Sequence, residues 1–119
     1  MNYLKSLVLT SLAAAFVVGC GGAAMPLDKL TDAKATARAA QEAGAEHTPQ
    51  AALHLKMAND ELASAQKAIN DNDGDRAQLL LNQAQSDADL AVALARGSAD
   101  LQAAQTAQSK IVNLSKQAQ

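Results

Sequence analysis

LKMANDELASAQKAI, residues 55–69, carries Leu55, Ala58, Leu62, Ala65 and Ile69 at alternating spacings of three and four. On a helix of about 3.6 residues per turn this alternation keeps all of them on one stripe, and the stripe has the form of a heptad seam in which large and small residues take turns. Thr48-Pro49 lies just ahead, where threonine suits an N-cap and proline the first helical position, whose N–H has no partner anyway. These signals predict a helix over about 49–70. It is the clearest periodicity in the chain.

Working outward, Asp71-Asn72-Asp73-Gly74-Asp75 breaks the pattern with residues that favour turns and caps. Ala77, Leu80, Leu81, Ala84, Ala88, Ala91, Leu94 and Ala95 then resume one helical face, with Asp87, Asp89 and Arg96 expected in water. Upstream, Pro26, Asp28 and Asp32 suit a helix start, and Leu27, Leu30, Ala33, Ala37, Ala40 and Gly44 form a narrow stripe made mostly of methyl groups. This helix is expected over about 26–44. Two leucines alone drive its docking, so it is the element expected to fray first.

Gly97-Ser98 interrupts the third pattern, yet Leu101, Ala104, Ala107, Ile111, Leu114 and Ala118 keep a helical spacing beyond it. Unbroken, that helix would reach about 65 Å, far longer than the others, so its last third has no partner within the chain. It pairs with another chain or is partly disordered. The fold class read from the sequence is therefore all-α: a helical hairpin within a three-helix antiparallel bundle, with a long C-terminal helix. The divisions are 26–97 for the alanine-rich domain and 98–119 for the C-terminal extension.

The N-terminal end reads differently. Ser6 to Gly19 is apolar, comes after Lys5, and is shorter than the roughly 20 residues a membrane-spanning helix needs. Residues 1–19 are read as a signal peptide. Val17-Val18-Gly19-Cys20 closes it in the manner of a bacterial lipobox, and Cys20, the one cysteine of the chain, has no partner for a disulfide. Lipidation of Cys20 is the use expected for its thiol, residues 20–25 being a tether. Each buried CH₂ contributes about 0.8 kcal/mol, so the two or three acyl chains of a lipoprotein, palmitate among them, give stable anchoring where one would not. Gly21 lacks the aspartate that retains enteric lipoproteins in the inner membrane, and an outer-membrane, periplasm-facing location is expected.

Composition excludes several roles. Tyr3 and Phe16 are the only aromatic residues and both fall in the signal, so nothing downstream can stack on bases or sugars. The chain has 10 basic and 12 acidic residues among 119, a net charge of −2 without a basic stripe, and nucleic acid is not an expected partner. Asp71, Asp73 and Asp75 have the spacing that opens a calcium loop, but glycine stands fourth instead of sixth and Asn82 replaces the closing glutamate. A solvated turn is the plainer reading. His47 and His54 flank Pro49, match no metal signature and are expected as ordinary exposed imidazoles. No Ser/His/Asp arrangement is recognisable, so no catalytic residue, metal or cofactor is assigned.

Between Ala40 and Ala91 the chain resembles the family catalogued as domain of unknown function forty-three ninety-eight, found in small alanine-rich bacterial lipoproteins. Ala43-Gly44-Ala45, Thr48-Pro49, Leu62, Ala65, Ala68, Ala77, Leu80, Gln83-Ala84, Asp87-Ala88 and Leu90-Ala91 carry the resemblance. The family usually has Gly-Asp at the inter-helix turn where this chain has Asn72-Asp73, and asparagine tolerates the left-handed backbone such a turn uses. Fusion of some members to OmpA-like peptidoglycan-binding domains implies envelope work, with no catalytic residues to carry over. The expected function is that of a membrane-anchored, non-enzymatic structural or protein-interaction module of the cell envelope. Its partners would be membrane lipid through Cys20 and a second copy or another envelope protein, with no small-molecule substrate. The alternative is a small ion- or ligand-binding lipoprotein that uses the acidic turn Asp71–Asp75.

Overall fold

The computed structural model describes residues 24–118, and the signal peptide, Cys20 and most of the tether lie outside them. The described chain is helical throughout: α1 (Leu27–Glu42), a single 3-10 turn (Ala45–His47), α2 (Pro49–Asn70) and α3 (Gly74–Gln117). An all-α hairpin with a third helix alongside is thus the observed architecture.

Each helix ends where its sequence permits. α1 stops at Ala43, whose N–H reaches the Ala39 carbonyl, and Gly44 turns the chain at φ +82° while donating to Gln41. That conformation is accessible to glycine at little cost. Thr48 holds the N-cap position of α2 with Pro49 next to it, but its hydroxyl makes no capping bond; the Thr48 carbonyl instead accepts from the Ala52 N–H at 2.8 Å. At the far end of α2, Asp73 donates to Ala68 and Asn72 to Ile69, with Asn72 at φ +58°. This is a Schellman closure with asparagine in the left-handed position. Gly74 is therefore already helical, and Asp73 caps α3 by accepting from the Arg76 N–H at 3.1 Å.

The seam read from residues 55–69 faces the core. Leu55, Ala58, Leu62 and Ala65 are buried, joined by Ala51 and Ala68, while Ile69 is half-buried at the rim. α3 answers with Ala77, Leu81, Ala84, Ala88, Ala91 and Ala95, repeating the same alternation of four and three. Among the described residues, Leu30, Leu55, Leu62 and Leu81 are the only buried leucines, and every other buried apolar residue is alanine. Methyl-sized side chains reach little beyond the helix surface, so these helices must lie at the close end of the usual 8–10 Å axis separation to exclude water.

α1 departs from the expected stripe at both ends. Leu27 is 55% exposed and Gly44 half-buried, which leaves Leu30 as the one leucine that docks this helix. Polar ties to α3 supplement it: Lys29 Nζ donates to Asn82 Oδ1 at 3.0 Å, and Gln85 Nε2 to Thr36 Oγ1 at 2.8 Å.

α3 runs for 44 residues, about 66 Å, and passes through Gly97 without a break. Past Ala95 it buries nothing. Among the described residues, no helix is long and apolar enough to cross a membrane.

Candidate interaction surfaces

The acidic turn is occupied with local work. Lys67 Nζ bonds Asp71 Oδ2 at 3.0 Å, and Asp73 caps α3 through Oδ1. Among the described residues, no three His, Cys, Asp or Glu side chains converge in a way that would hold a metal ion. His47 sits exposed on the 3-10 turn.

His54 differs from its expected state, and so does Asp87. His54 Nδ1 lies 2.7 Å from Asp87 Oδ1, a bond between α2 and α3 in which the two side chains are only 25% and 17% exposed. Both face the hairpin because Pro49 places His54 inside α2 and the α3 seam turns Asp87 toward it. On the same face of α2, seven residues on, stands Glu61. Its Oε2 is shielded from solvent and has no hydrogen-bond partner. Burial pushes the Glu61 carboxyl above its ordinary value, and the nearby Asp87 carboxylate adds to the shift. Asp87 thus stands between the His54 imidazole and the Glu61 carboxyl.

Sequence reading missed Glu61, which looks like any solvated acid between Asp60 and Leu62. Its spacing of seven from His54 was the one signal for it. Met57, Glu61, Gln83, Ser86, Asp87 and Leu90 line one open groove between α2 and α3. There the usual order is inverted: Met57 and Leu90 are 40% and 42% exposed while the Asp87 side chain is 17% exposed. A second open groove lies between α1 and α3, lined by Lys29, Thr36, Asn82 and Gln85, which already bond to one another across it.

The third surface is the α3 tail. Leu101 is 68% exposed, Ile111 62%, Val112 40% and Leu114 63%, a concentration of bare aliphatic side chains on a helix with no neighbour. Single exposed leucines are ordinary on soluble proteins, whereas a contiguous apolar stripe marks a contact surface.

No curated protein and no solved structure matches the chain. A family model described as Domain of unknown function (DUF4398) matches residues 28–108, from the first turn of α1 through the hairpin and on past Gly97 into the tail. The match takes in more of the chain than the Ala40–Ala91 stretch on which the resemblance rests, and on it the chain belongs to the DUF4398 family.

Proposed function

We propose that this chain is a lipid-anchored protein of the bacterial cell envelope, held at the outer membrane through Cys20 and facing the periplasm, where it acts as a non-enzymatic structural or protein-interaction module. The observation that carries the interaction role is the α3 tail: a helix persists past Ala95 with no other described residue burying it, displaying Leu101, Ile111, Val112 and Leu114. Most helical stability in proteins comes from packing one face, so a bare helical tail is most useful where a partner completes it. Val17-Val18-Gly19-Cys20 supports the anchor. Asp71 bonds Lys67 and Asp73 caps α3, which supports reading the acidic turn as a structural part.

Two experiments test it. Cells fed a palmitate analogue should label the wild-type chain and not Cys20→Ser, and the variant should leave the membrane fraction; an unlabelled wild type would remove the anchor. Photo-crosslinkers placed at Leu101 or Leu114 in the full chain should trap a discrete protein partner, and their failure at every tail position would remove the interaction role. Calorimetric titration with calcium or zinc is expected to give no heat of specific binding.

A further inference from the structure

Leu79, Leu90, Leu101 and Val112 are exposed apolar side chains of α3 that stand eleven residues apart, from the first turns of the helix almost to its end. Eleven residues make three turns, so at about 100° per residue each repeat returns to the same side with a drift of about 20°. All four therefore share one face of an unbroken helix. Leu94, Gly97, Gln105 and Gln108 fall on that face between them, and none carries a charge. Arg96, Asp100 and Lys110 lie about 100° or more around the axis from its centre. The stripe runs along the α2/α3 groove, where Met57 stands across from Leu90, and on into the tail.

The direction of the chain says what can lie on it. Lys29 bonds Asn82 and Thr36 bonds Gln85, so the two numbers rise together and α1 runs parallel to α3. Residue 24 thus stands at the end of the bundle where α3 begins, and Cys20, four residues earlier in the sequence, is within about 14 Å of it. With Cys20 in a membrane, the stripe starts near the lipid and leads away from it. Two copies held in one membrane then present their stripes parallel and at the same height.

We propose that the stripe pairs with the same stripe of a second copy of this chain, α3 against α3, parallel and in register. This rests on reading the chain as lipid-anchored and its tail as an interaction element, and it names the partner. The two-fold axis runs along the pair, so Leu79, Leu90, Leu101 and Val112 each meet their own counterparts and one contact closes the assembly. A repeat of eleven would by itself tolerate a slip of one repeat, but that displaces one copy by about 16 Å and the common anchor height opposes it. Gly97 also finds a use. A Cβ built on it meets nothing within 4 Å, so the single chain does not call for glycine there, whereas in the pair its bare backbone leaves room beside the Leu94 and Leu101 positions of the second copy. A mid-helix glycine costs about 0.5–1 kcal/mol relative to alanine, and the close approach of a second helix is a reason to keep one. Two glutamines and a glycine make a weak seam in dilute solution, and confinement to one surface raises the effective concentration at which the copies meet.

Cysteine crosslinking of the full chain in vesicles of phosphatidylethanolamine and phosphatidylglycerol tests the pairing, acylation of Cys20 leaving each variant one free thiol. Under mild oxidation Leu90→Cys, Leu101→Cys and Val112→Cys should each give disulfide-linked dimers, and Lys110→Cys, on the far side of the helix, should not. Leu101→Glu should cut the Val112→Cys dimer at least about tenfold by placing a charge in the seam. It should keep the circular dichroism melt of the base, because Leu101 is exposed in the single chain. Equal yields at Leu101→Cys and Lys110→Cys would overturn the proposal. So would a disulfide joining Leu79→Cys of one copy to Val112→Cys of another in place of the matched pairs, since that requires antiparallel helices. If no matched dimer forms but photo-crosslinkers in the tail trap a different protein, this inference fails and the interaction role stands; if neither occurs, both fail.

Discussion

At the residue scale, Glu61 and Leu81 pull the stability in opposite directions. Glu61 is an acid whose folded-state pKa is raised by burial and by Asp87, so the folded chain holds its proton more tightly than the unfolded chain does. Its ionisation therefore destabilises the fold as pH rises through the raised value, and that penalty is absent below the ordinary 4.5. In dilute, monomeric solution Glu61→Gln should melt above the wild type at neutral pH, the gap closing as pH falls to about 4. A gap that stays constant across that range would refute the assignment. Leu81 is the largest fully buried side chain among the described residues, in a core otherwise filled mostly by alanine. Leu81→Ala should cost about 2–5 kcal/mol in urea unfolding, toward the upper end because flanking methyl groups cannot collapse into the space.

At the element scale, the helices obey local rules that a sequence displays and pair through contacts that it does not. The α2 seam was legible because Leu55, Ala58, Leu62 and Ala65 share one phase, and the turn because Asn72 is among the few residues that tolerate positive φ. Gly97 left two outcomes open, since one glycine costs roughly 1 kcal/mol, too little to stop a helix and enough to weaken it. Leu27 read as core from its spacing, but the stripe overruns the bundle and that side chain has nothing to meet. His54, Asp87 and Glu61 were illegible as a group because their meeting depends on the register between α2 and α3, which hydrophobic spacing alone leaves undetermined. Gly97→Ala tests the cost of that glycine directly: in the monomer it should raise helix stability by about 0.5–1 kcal/mol, read as a higher urea midpoint, because its new methyl enters open space.

At the scale of the whole molecule, α3 joins a packed base to a bare rod. Residues 30–95 contain every buried side chain described, and the tail contains none. Local stability should fall off accordingly. Amide exchange in dilute solution should be slow along α2 and the first half of α3 and fast past Gly97. Uniform protection along the whole of α3 would contradict a bare tail.

Because α3 continues through Gly97 without a hinge, the base dictates the compass bearing of the tail as well as its position. Every residue added to an unbroken helix rotates the segment beyond it by about 100° and advances it about 1.5 Å. One alanine inserted between Gly97 and Ser98 would leave the base as it is, yet turn Ile111 and Leu114 by about 100° relative to it. Such a chain should melt like the wild type and lose the partner trapped by a crosslinker at Leu114. The helix thus acts as a keyed shaft, whose teeth mesh at one angular setting.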